Sequence, residues 1–78
     1  MKVRVELQSY LADQYAPGDD AKFSLEVPDG ATVSDILRKL GVPMEQAAVL
    51  TLGDEAVQGE QQLKEGDRVT VIPPVAGG

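Results

Sequence analysis

"DGATVSDILRKLGVP", Asp29 to Pro43, is the stretch on which the arrangement of this chain turns. Val33, Ile36, Leu37 and Leu40 fall at i, i+3, i+4 and i+7, the spacing of one helical face. Thr32 stands at the N-cap position. Asp35, three residues on, completes a capping-box pattern and lies at the positive end of the helix dipole. Gly41 supplies a left-handed stop, and Pro43 prevents the helix from continuing. The stretch therefore predicts one capped helix with an apolar stripe, which needs a flat apolar partner to be buried.

The flanking segments supply that partner. "KVRVELQ", Lys2 to Gln8, alternates: Val3, Val5 and Leu7 face one way, and Lys2, Arg4, Glu6 and Gln8 the other. A long loop with the turn cluster Pro17-Gly18-Asp19-Asp20 follows. "KFSLEVP" then alternates again with Phe23, Leu25 and Val27 inward, and the two strands are expected to pair antiparallel. Downstream, Val49 to Leu52 reads as a strand with Leu50 and Leu52 inward, and Gly53-Asp54 as a turn into a short strand. Leu63 reads as a buried anchor and Gly66-Asp67 as a turn. Arg68 to Ile72 reads as the last strand, with Val69 and Val71 inward and Arg68, Thr70 and Ile72 outward. The order β-β-α-β-(short β)-β predicts a two-layer α+β domain. One helix crosses one face of a mixed sheet of four to five strands, and the last strand lies parallel to the first at the sheet centre.

Composition narrows the chemistry. The 78 residues make one small domain with little room for an enclosed active site. At 42% hydrophobic and 26% charged residues, the chain reads as globular. No apolar run approaches the roughly 20 residues of a membrane helix. The strand-like start has no apolar leader region, so a cytoplasmic protein that does not engage membranes is expected. There is no Cys and no His, which removes thiolate nucleophiles, disulfides, the usual proton shuttle and the commonest metal ligands. The adjacent acid pairs Asp19-Asp20 and Asp54-Glu55 sit among turn residues and read as solvated turns, so no metal site is expected. Three aromatic residues and a net charge of −6 argue against nucleic acid and for a partner with a basic surface. An enzyme built from Asp, Glu, Lys, Ser and Tyr is left open.

The final residues, "VIPPVAGG", Val71 to Gly78, pose a separate question. Pro73 and Pro74 lack N–H groups, so strand pairing ends there and the chain is held extended. Val75 and Ala76 are small, and Gly77 and Gly78 carry no side chains. Residues 1–72 are thus expected to form the domain. Residues 73–78 are expected to form an extended tail reaching roughly 20 Å, with a thin tip and an unhindered carboxylate. Frayed chain ends are also small and polar, but a frayed end has no need of two prolines at its base.

The closing "LKEGDRVTVIPPVAGG" resembles the C-terminus of the MoaD/ThiS family of ubiquitin-like sulfur carriers. The pieces are Leu63, Gly66-Asp67, an apolar strand, Pro73-Pro74-Val75 and Gly77-Gly78. The opening strand and "VSDILRKLGV" fit as well, and Pro-Pro-Val is closer to the MoaD branch than to the ThiS branch. Where MoaD-like proteins often carry a Val-Asn-Gly-like stretch, this chain has "TLGDEAV", Thr51 to Val57. The resemblance implies a β-grasp fold and a carrier, not an enzyme. It binds no cofactor of its own: an ATP-using, ubiquitin-activating-like adenylating enzyme would adenylate the Gly78 carboxylate. A sulfur donor would then convert it to a thiocarboxylate. The resemblance also implies a sulfur acceptor, which for MoaD is the large subunit of molybdopterin synthase and for ThiS the thiazole of thiamine. A ThiS-like carrier for thiamine thiazole or another sulfur-containing metabolite, a protein modifier joined to lysines through Gly78, and an interaction module with an inert tail are the alternatives. Ile72, with Thr70 and Arg68 beside it, is expected to contact a partner.

Overall fold

The computed structural model of the chain describes residues 1–74. Its elements run β1 (Lys2–Leu7), α1 (Tyr10–Tyr15), β2 (Lys22–Glu26), α2 (Val33–Leu40), a 3-10 turn (Met44–Gln46), β3 (Val49–Leu52), β4 (Glu55–Val57) and β5 (Arg68–Ile72). The strands form one sheet in the order β2-β1-β5-β3-β4. β1 pairs antiparallel with β2 and parallel with β5, while β3 pairs antiparallel with both β5 and β4. The last strand is therefore the central one, as the sequence predicts, and the architecture is the mixed-sheet, one-main-helix β-grasp.

The capping box of α2 is formed. The Thr32 backbone N–H donates to Asp35 Oδ2 at 2.8 Å, and the Asp35 N–H donates to Thr32 Oγ1 at 3.3 Å. Past the last turn, Gly41 sits at φ 83°, a left-handed conformation costly for other residues. There the Val42 N–H donates to the Leu37 carbonyl at 2.9 Å. Val33, Ile36 and Leu37 are buried in one cluster with Val3, Val5, Leu7, Val69 and Val71, so the stripe of α2 lies on the inward face of β1 and β5. The register is the expected one, since Lys2 and Arg4 stay exposed on the opposite face.

Three features depart from the sequence reading. The loop after β1 contains α1, a six-residue helix whose Leu11 is fully buried. Ala31 and Val42, which flank α2, also join the core. Conversely, Phe23, Leu25, Leu40 and Leu52 are only half-buried, Phe23 and Leu25 because β2 is an edge strand with one neighbour.

The turn before β5 fixes where that strand begins. Gly66 adopts φ 84°, and its N–H donates to the Lys2 carbonyl at 2.8 Å. The Lys64 N–H donates to Asp67 Oδ2 at 2.7 Å. The Arg4 N–H then donates to the Asp67 carbonyl at 2.8 Å, so β5 enters the sheet in register with β1.

Two outcomes follow from this packing. Leu11→Ala should lower the unfolding free energy by about 2–4 kcal/mol, the cost of a buried leucine cavity, read by urea denaturation. At Asp35, the Thr32 backbone N–H is the largest of the interactions that hold the carboxyl below its ordinary pKa, with the Arg38 guanidinium adding to it. A carboxylate lowered on folding stabilises at neutral pH, and that contribution fades as pH falls through the lowered folded-state value. The stability gap between the wild type and Asp35→Ala should accordingly shrink on acidification; a gap constant with pH would mean that charge plays no part in the cap.

Candidate functional site

The candidate site is built on the sheet face turned away from α2. Alternation along β5 puts Arg68, Thr70 and Ile72 there, with Arg68 exposed and the other two half-buried. Each has a partner on a neighbouring strand. Ile72 pairs with Val49, Thr70 with Thr51 on one side and Glu6 on the other, and Arg68 with Arg4. The strip is therefore graded. Its end at Ile72 and Val49 is apolar, its middle carries two hydroxyls and the Glu6 carboxylate, and its start carries two guanidinium groups.

Val49 is 42% exposed, one of three large apolar side chains so open to solvent among the described residues. Beside half-buried Ile72 it makes an apolar step at the point where β5 ends. Pro73 is buried and Pro74 exposed, so the chain leaves the sheet at this step. The Gln8 N–H donates to the Val71 carbonyl at 3.1 Å, which holds the end of β5 against β1. The expected tail residues Val75, Ala76, Gly77 and Gly78 lie outside the described residues.

At the other end of the strip, an open cleft of about 490 Å³ is lined by Arg4, Glu6, Lys22, Asp54, Arg68 and Thr70, among others. Among the described residues, no group of three or more Asp or Glu converges to hold a metal ion. No described helix is long and apolar enough to cross a membrane.

Three of the residues singled out in the sequence, Arg68, Thr70 and Ile72, thus stand together on one face. Val49 and Arg4 complete the strip and were missed as site residues. Val49 was legible as an apolar residue on the outward side of its strand. Arg4 was legible as an outward residue on a strand beside the last one, but only the sheet register sets it opposite Arg68.

The family model of the ThiS family matches residues 10–78. The chain belongs to the ThiS family. Solved structures agree on the fold of this ThiS-family chain. Small archaeal modifier protein 1 of Haloferax volcanii matches it with a TM-score of 0.74 at 20% identity, over 95% of this chain and 98% of that one. A ubiquitin of Caldiarchaeum subterraneum matches with a TM-score of 0.64 at 23% identity, over 100% of this chain and 98% of that one. A complex of subunits 1 and 2 of molybdopterin-converting factor from Helicobacter pylori 26695 contains a chain that matches with a TM-score of 0.61 at 21% identity, over 100% of both. The ubiquitin-like β-grasp is common to all three.

The partial burial of Ile72 alters how the strip can be probed. The sequence reading places Ile72 on the outward face of the last strand. Because Ile72 is half-buried on the central strand, Ile72→Asp should cost about 1–2 kcal/mol. Val49→Asp should cost about 0.5 kcal/mol or less. Urea unfolding of the two variants checks the difference.

Proposed function

We propose that this ThiS-family chain is a sulfur carrier of the MoaD type, with its reacting group at the Gly78 carboxylate. Residues 1–72 act as the handle and residues 73–78 as the tether. The observation that carries the proposal is the position of β5: the sheet's central strand runs into Pro73-Pro74 beside the step of exposed Val49 and half-buried Ile72. The handle can then be gripped at the base of the tether, which converts a reaction in solution into one of high effective concentration.

The chemistry asks little of the carrier itself. A carboxylate oxygen of Gly78 attacks the α-phosphorus of ATP on an adenylating partner, and pyrophosphate leaves. Hydrosulfide attacks the acyl carbon of the resulting mixed anhydride and gives up its proton to solvent. The C–S bond forms, the acyl C–O bond to AMP breaks, and a thiocarboxylate is left. Sulfur is then handed to an acceptor enzyme. A chain with neither His nor Cys suits this division of labour, because activation and acid–base work fall to the partners.

Val75, Ala76, Gly77 and Gly78 serve as the slender part of the tether, and Ile72, Thr70 and Arg68 as contacts for the partner. The acceptor is the large subunit of a molybdopterin synthase, in line with the Pro73-Pro74-Val75 segment and with the two-subunit factor of Helicobacter pylori. The modifier protein of Haloferax volcanii raises a second use of the same tether, an isopeptide bond between Gly78 and a lysine amine.

The tail variants test the proposal. One residue added after Gly78 shifts the carboxylate by roughly 3.5 Å, and displacement of a reacting group by about 1 Å can cost on the order of a hundredfold in rate. The extended protein, a Gly78 deletion and Gly77→Val should each lose adenylation, followed as pyrophosphate release with the cognate activating enzyme, while unfolding as the wild type does. Undiminished adenylation and thiocarboxylation of the extended protein, without trimming, would refute the proposal.

A further inference from the structure

The start of the strip sets two like charges side by side, an arrangement that the packing of the core does not require. Arg4 and Arg68 are direct partners in the parallel β1/β5 ladder, on the same outward face. Like charges placed opposite one another across a sheet repel. Both roots are pinned: the Arg4 N–H donates to the Asp67 carbonyl, and the Arg68 carbonyl accepts from the Gly53 N–H, each at 2.8 Å.

Among the described residues, no carboxylate lies within ion-pair distance of either arginine. Asp67 caps its own turn by accepting from the Lys64 N–H, and Glu65 accepts from the Lys2 N–H at 3.0 Å. Glu6 and Asp54 line the cleft, yet among the described residues the ion pairs are Met1 with Asp29 and Arg38 with Asp35. Lys22 lines the cleft as a third cation. A protein of net charge −6 with seven Lys and Arg residues thus concentrates three of them at one cleft.

We propose that the Arg4–Arg68 pair is a carboxylate-binding site, which receives a single Asp or Glu side chain of the adenylating partner. Two arginines paired across the ladder can each offer a forked guanidinium donor, which matches a carboxylate in bidentate geometry. Glu6, set between Lys22 and Thr70, and Asp54 also line the cleft and would repel the successive phosphates of a polyanion such as a nucleic-acid backbone. The site is continuous, through Thr70, with the Val49/Ile72 step, so one partner covers both. A charged contact at the far end of the strip fixes the rotation of the handle, and with it the direction in which the tether points. This inference rests on the carrier reading above.

The experiment measures adenylation by the cognate activating enzyme as a function of carrier concentration. Arg4→Gln and Arg68→Gln should each raise KM by roughly tenfold, the scale of a lost charge-assisted contact, with the loss in KM and not in kcat. Arg→Lys at the same positions should recover part of it. The wild-type KM should climb steeply with added NaCl, and that of the double Gln variant should not. The unfolding midpoint of Arg4→Gln should equal or exceed that of the wild type, because a repulsion is removed. KM values within twofold of wild type for both Gln variants would overturn the site while leaving the carrier reading standing. An enzyme that fails to adenylate even the wild-type chain would overturn both. A midpoint that falls in step with the rise in KM would show the arginines to be structural. Inhibition of the wild type by inorganic phosphate but not by free glutamate would mean that the pair reads a phosphate, and would also overturn the proposal.

Discussion

The parallel pairing of the first strand with the last holds this molecule together. Val5 lies opposite Val69 and Leu7 opposite Val71, all four buried beneath α2. β5 is bonded to β1 on one side and β3 on the other. Without it the sheet falls into two hairpin-like pairs, β2-β1 and β3-β4, neither of which can cover the stripe of the helix. Parallel neighbours cannot be joined by a tight turn. Everything between β1 and β5 is thus a long crossover, and α2 is the part of it that closes the core. A strand bonded on both edges has a fixed direction and a fixed end, so β5 leaves the sheet at a defined place.

The same pairing separates two kinds of surface. Toward α2, residues from strands, helix and flanks pack into one apolar cluster, where each fully buried side chain contributes about 1.5–3 kcal/mol. Away from α2, the outward residues of β5 and its neighbours make a strip graded from apolar to cationic. The sheet edges are protected by simple means. β2 presents exposed Lys22, Ser24 and Glu26 outward, and β4 has only three residues, so neither edge offers a long apolar template to another chain.

Most of the fold was legible because local and global preferences agree. Thr32, Asp35 and Gly41 bracket α2 on chemical grounds alone, and the alternation of Lys2–Leu7 and Arg68–Ile72 assigns their faces. α1 escaped because its N-cap, Ser9, makes no side-chain cap and only Leu11 of its six residues is buried, so no period shows. The 3-10 turn at Met44–Gln46 is too short to have one. The half-burial of Phe23 and Leu25 depends on strand order, which alternation does not encode. On the outer face, Ile72 was legible from its place before Pro73-Pro74. The Arg4–Arg68 pair was not, because residues so distant in sequence meet only through the register of a parallel ladder.

The central claim is that this domain exists to present one carboxylate for sulfur loading. Its most direct test is the intact mass of the wild-type chain after incubation with its activating enzyme, ATP and sulfide, with fragmentation to locate any change. The account predicts exchange of a single oxygen for sulfur at Gly78, dependent on ATP. An unchanged mass, or adducts on lysine side chains with no sulfur at the C-terminus, would contradict it.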